Sequence, residues 1–450
     1  MKQTLSMTLA EYAASTTVDK NPTQIRERAK QVILDEMACA HFGRRSLGGG
    51  LAAKYAVSLG GAQESLILGT RSYASAPYAA LANGSAGHGE EVDGAHVIGG
   101  HPGATLVHAA VALAEQQRVS GAELVNAVVL GYDVGIRVIE ACGGLFAMKN
   151  RFGLNSDFLH ALGCSAASSR LLGLDPLKHC HAMTLSSFGS NALVAFYAEK
   201  RHISKSLCNG MHASAGVTGA LMAMVGLEGH EDILGAPFGV LHAWGSKEHQ
   251  GALTRGLGET YKIMGANFKF VNAGYPIHAP VEAALTLVAK HGIKLDAIAS
   301  IHIGMPTNAM RVVDGRDMHN ICVQDMVTAA LIQGGLKLRE LPFPAMLGNP
   351  AFPRLRPRVT AAGDADLDRD QPTGRGAIVR MTLTDGATVS LRVEHPRGHS
   401  LRGGVTWDEL AVKWQDGLPE CDIDRMLALT RGLEDVEDVN ELVTAFITQK

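Results

Sequence analysis

The chain has 450 residues, 46 % hydrophobic and 19 % charged, with a formal net charge of −3. This is globular rather than disordered composition, with enough length for two or three domains. The weak acidic balance gives no reason to expect nucleic acid or an anionic membrane as partner, and no run of 18 apolar residues predicts a membrane span.

Seven cysteines, Cys39, Cys142, Cys164, Cys180, Cys208, Cys322 and Cys421, are widely spaced without a CxxC pair. They read as small buried hydrophobes of a reducing cytoplasm rather than as a disulfide frame or a zinc knuckle. The N-terminal MKQTLSMTLAEYAAS lacks the apolar core and cleavage site of a secretory leader.

Along the chain, Asn21-Pro22-Thr23-Gln24 reads as a capping box, with Ile25, Ala29, Val32, Ile33 and Met37 at helical spacing behind it. Residues 82–103, ANGSAGHGEEVDGAHVIGGHPG, read as a glycine-rich loop. Pro102 suits the first turn of the helix that follows, so His101 is expected beside free backbone N–H groups, where a carboxylate is favoured. Ser120 to Glu123 is a second capping box and Asp175-Pro176 starts a further helix. Segments 160–173, 188–199 and 211–226 are apolar nearly all round and are expected as shielded central helices.

Near residue 262 the pattern changes. An apolar helix over 279–291 precedes an alternating strand, 297–306, and a helix in NICVQDMVTAALIQGG. Residues 376–395 carry a hairpin signal around Asp385-Gly386, and 361–375 read as a polar loop. Helices resume at a capping box, Thr406 to Glu409. The expected fold is mainly α: a helical domain over 1–262, an inserted α+β domain over 263–398, and a helical return over 399–450.

No GxxxxGK[ST], HExxH, GxSxG or strand-bound GxGxxG is present, so kinase, zincin, hydrolase and dinucleotide chemistry lose their support. What remains is the group His88, Glu91, Asp93, His96 and His101. One reading is a divalent metal site. The other, adopted here, needs no metal: general acid–base work on a carboxylate substrate, with cations holding the carboxylates. Candidate cations are Lys200, Arg201, His202, Lys205 and His212, followed by Lys269 and His278.

The same stretch resembles the signature of the MmgE/PrpD family of 2-methylcitrate dehydratases, cis-aconitate decarboxylases and iminodisuccinate epimerases. The likeness continues in LGCSAASSRLLGLD, KSLCNGMHASAGVTGALMAMVGLEG, KFVNAGYPIHAPVEAAL and HPRGHSLRGGVTWDEL. It implies a large helical domain with a smaller α+β lid, the active site between them, a homodimer, and no metal or organic cofactor.

The family's first loop reads roughly H-A-L-D-F-D-D-T-H. His88, Asp93 and His96 match it; Glu91 stands for the first Asp, Gly94 for the third and Ala95 for the Thr. His101-Pro102-Gly103 matches the catalytic His-Pro pair, Lys205 the active-site Lys, and Lys269 and His278 the Lys and His of the lid. The resemblance therefore implies His101, Asp93, Glu91 and Lys205 as catalytic groups and Lys269, His278 and His96 as substrate-binding ones. The family's G-W-H-P-T run is replaced by RFGLNSDFLH, where Asn155, Ser156 and Asp157 offer substitute polar contacts, and no Tyr of the decarboxylating members stands near MPTNAMRV. These departures argue against cis-aconitate decarboxylation. The expected activity is dehydration of a small di- or tricarboxylate; the alternatives are epimerisation of a small dicarboxylate, or a metal-dependent or non-catalytic carboxylate-binding protein.

Overall fold

A computed structural model describes residues 3–199, 203–246, 248–338, 346–371 and 373–447. The chain divides into two compact units, 1–266 with 406–450, and 267–405. No helix among the described residues is long and apolar enough to cross a membrane.

The first unit is helical. Its centre is Gly121–Ala141, buried on nearly every side through Leu124, Val128, Val134 and Val138. Arg137 on this helix is fully buried, and its guanidinium donates to the carbonyls of Ala252, Arg255, Gly256 and Thr260 at 2.8–3.2 Å, pinning that loop. A buried Arg is tolerated only when its donors are satisfied in this way.

Helix Ala76–Gly87 packs on helix Ile203–Met224 through Gly84 and Gly210, where a Cβ on Gly210 would stand 2.1 Å from the Leu81 carbonyl oxygen. That close approach explains why the first six residues of the expected loop, 82–87, are helical instead. Tertiary packing rewards the small residues by more than the roughly 1 kcal/mol that interior Gly costs. Two further expectations fail here. Segment 188–199 is not a buried helix: it forms a short 3-10 turn, Val194–Ala198, with Phe188 and Leu193 exposed. Helix Thr23–Gly43 begins after Pro22 without a side-chain cap, and the Asn21 amide N–H instead donates to Asn126 Oδ1 at 2.9 Å.

The second unit carries a four-stranded sheet in the order Val359–Gly363, Ile298–Met305, Ala377–Leu383, Thr388–Val393; the first pair is parallel and the others antiparallel. Gly386, at φ 88°, makes the hairpin turn that Asp385-Gly386 signals. Helices His278–His291 and Val323–Gln333 share one core with the sheet through Val281, Leu287, Met326, Ile301, Ile303 and Val379. Part of the expected polar loop, 361–375, is ordered as the edge strand and a short helix, Ala365–Asp368, capped by Asp364. The chain returns to the first unit at Thr406, whose full capping box opens helix Trp407–Gly417.

Candidate active site

Within the first unit, helix Ala76–Gly87 ends at His88 and the chain turns through Glu91, which adopts φ 55°. A left-handed conformation is strained for a non-glycine residue and persists only where its surroundings hold it. The conformation comes with a fixed Glu91 side chain: its Oε1 lies 2.9 Å from Lys205 Nζ and 3.2 Å from His88 Nε2. The chain then doubles back. His96 N–H donates to Gly100 O at 2.8 Å, and Gly100 at φ 65° reverses direction, bringing His101 beside Asp93.

One carboxylate oxygen organises the group. Asp93 Oδ2 lies 2.8 Å from His88 Nδ1 and 2.9 Å from His101 Nδ1. The Gly94 carbonyl is a second acceptor for His101 Nδ1, at 3.2 Å. The two imidazole rings meet edge to face with centroids 4.3 Å apart. A carboxylate accepts hydrogen bonds, so Nδ1 carries the proton on both rings and the His101 Nε2 lone pair is left open. Nε2 of His101 has no hydrogen-bond partner among the described residues, and the side chain keeps 13 % exposure while Asp93 is sealed.

The two rings are tuned in opposite directions. Burial pushes His101 below the ordinary imidazole range; the positive charges of His88 and Lys205 add to this, and Asp93 opposes it. Burial also depresses His88, but Asp93 and Glu91 more than offset it, and the net shift is upward. The two neighbouring rings are thus pushed apart in proton affinity, His101 downward and His88 upward, the kind of separation found in acid/base constellations.

Residues outside the loop hold it in place. Glu36, on helix Thr23–Gly43, accepts Gly94 N–H at 2.8 Å; burial, then Asp93 and Asp35, push its carboxyl well above the usual carboxylate range. A Cβ on Gly103 would stand 2.1 Å from Glu36 Oε1, so only glycine fits there. Asp35 beside it is buried and receives Lys413 Nζ at 2.7 Å and Trp414 Nε1 at 2.8 Å. Spacing does not reveal Glu36; adjacent acids on an otherwise apolar helix face are its only trace in the sequence.

The remaining expected site residues fall into distinct places. His96 has both ring nitrogens engaged with backbone, Nδ1 accepting from Ile98 N–H at 3.2 Å and Nε2 donating to the Lys262 carbonyl at 2.9 Å. Asn155 is partly buried near Cys208, and the buried Ser156 hydroxyl has no hydrogen-bond partner among the described residues. Asp157 Oδ1 accepts the His101 backbone N–H at 3.4 Å. Lys205 and His212 lie inside helix Ile203–Met224, and Nε2 of His212 faces Cys208 Sγ at 2.9 Å. Lys200, Arg201 and His202 lie outside the described residues. Lys269 and His278 are buried in the second unit, where His278 Nε2 lies 3.3 Å from the Ala273 carbonyl.

His88, Asp93 and His101 also offer three metal-ligand atoms within 4.8 Å of one another. Their 2.8 and 2.9 Å spacings are those of bridging protons. Two ligands of one tetrahedral zinc, each at about 2.0–2.2 Å, stand roughly 3.3–3.5 Å apart.

The MmgE/PrpD N-terminal domain family model matches residues 7–251 and the MmgE/PrpD C-terminal domain model matches residues 272–421. Cis-aconitate decarboxylase from Aspergillus terreus is 24 % identical over 474 residues, covering 96 % of each chain. The human cis-aconitate decarboxylase is 24 % identical over 449 residues, covering 94 % of this chain and 90 % of its own. The mouse enzyme of the same name is 24 % identical, with 93 % and 88 % covered. With both family domains matched in order, and the His88–His101 loop inside the first, the chain belongs to the MmgE/PrpD family.

Proposed function

We propose that this protein is a carboxylate lyase acting on a small di- or tricarboxylate by metal-free general acid–base chemistry, with His101 as the base. The observation that carries this reading is the Asp93 Oδ2 contact to His101 Nδ1 at 2.9 Å, which leaves Nε2 to take a proton. In the dehydration, Nε2 removes a proton from the carbon next to a carboxylate. The C–H electron pair becomes the C=C bond, and the hydroxyl on the adjacent carbon departs as water with a proton from Lys205. Glu91, paired with Lys205 at 2.9 Å, holds that ammonium in place. Positive charge at Lys205 and His88 offsets the enolate-like charge that develops. Ser156 offers a free hydroxyl to the substrate and Asn155 an amide, while His96 contributes through its hold on the loop. Lys269 and His278 enter as carboxylate-binding candidates on the family pattern alone. A cytoplasmic homodimer completes the reading.

A second reading, decarboxylation, is favoured by the names of the relatives. The two differ in what His101 must do first. Losing CO2 from an unsaturated tricarboxylate requires a proton delivered to carbon, whereas dehydration requires one removed, and the downward shift of His101 suits removal.

The test runs both assays on one preparation: alkene absorbance from citrate and 2-methylcitrate, and CO2 release from cis-aconitate, with and without chelator. The proposal expects chelator-insensitive alkene formation that H101Q abolishes. Full turnover in H101Q sinks the role of His101, and CO2 release without alkene formation replaces dehydration by decarboxylation.

A further inference from the structure

Cys421 and His41 lie 380 positions apart in the sequence and 3.4 Å apart in space, Sγ to Nε2. Neither belongs to the His88–His101 loop. His41 stands in the last turn of helix Thr23–Gly43. Cys421 sits in the turn between helices Trp407–Gly417 and Ile423–Arg431. Its N–H donates to the Leu418 carbonyl at 3.0 Å, and the next residue, Asp422, caps the second helix. Glu420 completes the group: His41, Glu420 and Cys421 each offer one ligand atom, all within 4.8 Å of one another.

The His41 ring is oriented from behind. Nδ1 lies 3.1 Å from the Phe446 carbonyl, and a carbonyl only accepts, so Nδ1 carries the proton and the Nε2 lone pair faces the thiol. A backbone carbonyl on the far nitrogen is the arrangement that fixes metal-binding histidines. His41 is fully buried, and burial, then Arg44, lower it to about 4, which keeps the ring in the neutral form that binds a cation.

Spacing separates this group from His88, Asp93 and His101, whose 2.8 and 2.9 Å contacts are too short for two ligands of one ion. A tetrahedral zinc with sulfur at about 2.3 Å and nitrogen at about 2.0–2.1 Å holds those two atoms roughly 3.5–3.6 Å apart. The 3.4 Å between His41 and Cys421 is close to that value. Cys208 Sγ and His212 Nε2, at 2.9 Å, are too close, and they join no third ligand atom among the described residues.

The carboxylate is accessible. Glu420 Oε1 lies 3.6 Å from Arg44 Nη2 and 3.4 Å from Arg45 Nη2, while Oε2 accepts no hydrogen bond from any described residue. The two guanidiniums oppose a dication; Glu420 and the thiolate formed on binding offset them. Burial, then Glu420, push the Cys421 thiol up to about 11, so the metal displaces its proton. The S–H bond breaks, a sulfur–metal bond forms, and the proton passes to solvent.

We propose that His41, Glu420 and Cys421 form a binding site for a thiophilic divalent cation of the zinc class, tying the C-terminal return segment to helix Thr23–Gly43. Thiolate and imidazole ligands select zinc over magnesium or calcium, which take oxygen. The site shares no residue with the acid–base machinery and does not depend on it.

The experiment titrates the reduced protein with cobalt(II), whose thiolate complexes absorb in the near ultraviolet by charge transfer. The unsubstituted protein develops this band, saturates at about one cobalt per chain, and loses the band when zinc displaces cobalt. C421S abolishes the band and C208S retains it. E420Q keeps the thiolate and weakens binding about tenfold or more, at least the loss that follows removal of an outer-shell partner. Zinc raises the urea midpoint of the unsubstituted protein and not that of C421S. Both test positions lie in a surface turn, so the outcome does not hang on deleting the buried His41 ring. No thiolate band in the unsubstituted protein, a band that survives C421S or vanishes in C208S, or an affinity that E420Q leaves unchanged each overturn the proposal. Cobalt held by His88, Asp93 and His101 meets no thiol and gives no such band, and a failure of His101 as base appears in H101Q kinetics instead.

Discussion

His101 and His88 place their Nδ1 atoms on the same oxygen, Asp93 Oδ2, at 2.9 and 2.8 Å. A single acceptor thus fixes the tautomer of both rings, and their different surroundings shift His101 downward and His88 upward. In D93N the amide presents a donor or a weaker acceptor at that point, and His101 loses both its orientation and its preferred tautomer. The expected loss in kcat is on the order of 10²–10³-fold, within the range that positioned acid–base groups supply. KM changes little, since Asp93 is sealed from substrate. Steady-state kinetics with circular dichroism as a fold control check this.

The acid limb of kcat/KM reports His101 in the free enzyme. Its pKa is lowered, so the neutral base persists to lower pH than an ordinary imidazole allows, and the limb falls below about 6.5. Because Asp93 raises the His101 value, residual activity in D93N has its limb at lower pH still. A limb above 6.5 in the unsubstituted enzyme contradicts the base assignment.

Lys205 Nζ and Glu91 Oε1, 2.9 Å apart and both buried, form an ion pair whose halves do not tolerate separation. K205M removes the ammonium that faces the buried Glu91 carboxylate, and the expected destabilisation is about 3 kcal/mol. E91Q alone strands the ammonium and costs a similar amount. The double variant recovers a large part of the sum, a coupling that a double-mutant cycle of urea midpoints measures. Additive losses show that the pair is not a unit.

The clustering of the loop residues was legible because it is written in residue types close in sequence: His88, Asp93 and His101 meet in space. Caps were legible where one side chain decides them, as at Thr406 and Asp175. What the residues hid was set by distant packing. Helix Ala76–Gly87 runs through glycines because helix Ile203–Met224 presses on Gly84, which no local propensity expresses. Asn21 caps nothing, and its amide N–H donates to Asn126, 105 positions away. Glu36 and Asp157 reach the loop from elsewhere in the chain, Glu36 to Gly94 N–H and Asp157 to His101 N–H, and neither contact has a spacing to betray it.

The first unit also carries a built-in acid sensitivity. Burial depresses His108 to about 3, and His41, His179 and His212 to about 4. His108 is the extreme case, since neither ring nitrogen has a hydrogen-bond partner among the described residues. A histidine with a lowered folded pKa binds a proton more readily unfolded. Its stabilising share is therefore complete above about 6.5 and is lost as pH falls toward the folded value. Between pH 7.5 and 5, each such ring removes about 2 kcal/mol, a loss opposed by Glu90 and Glu115, whose carboxyls burial raises to about 7 and which therefore take up protons in the folded state over the same range. H108L deletes a proton site without deleting a hydrogen bond, so it should leave stability at pH 7.5 nearly unchanged and flatten the decline below 6.5. Urea unfolding of both proteins at pH 7.5 and 5 measures the difference. Parallel stability curves for the two proteins mean that His108 does not titrate on unfolding, and that the acid sensitivity lies with the other three rings.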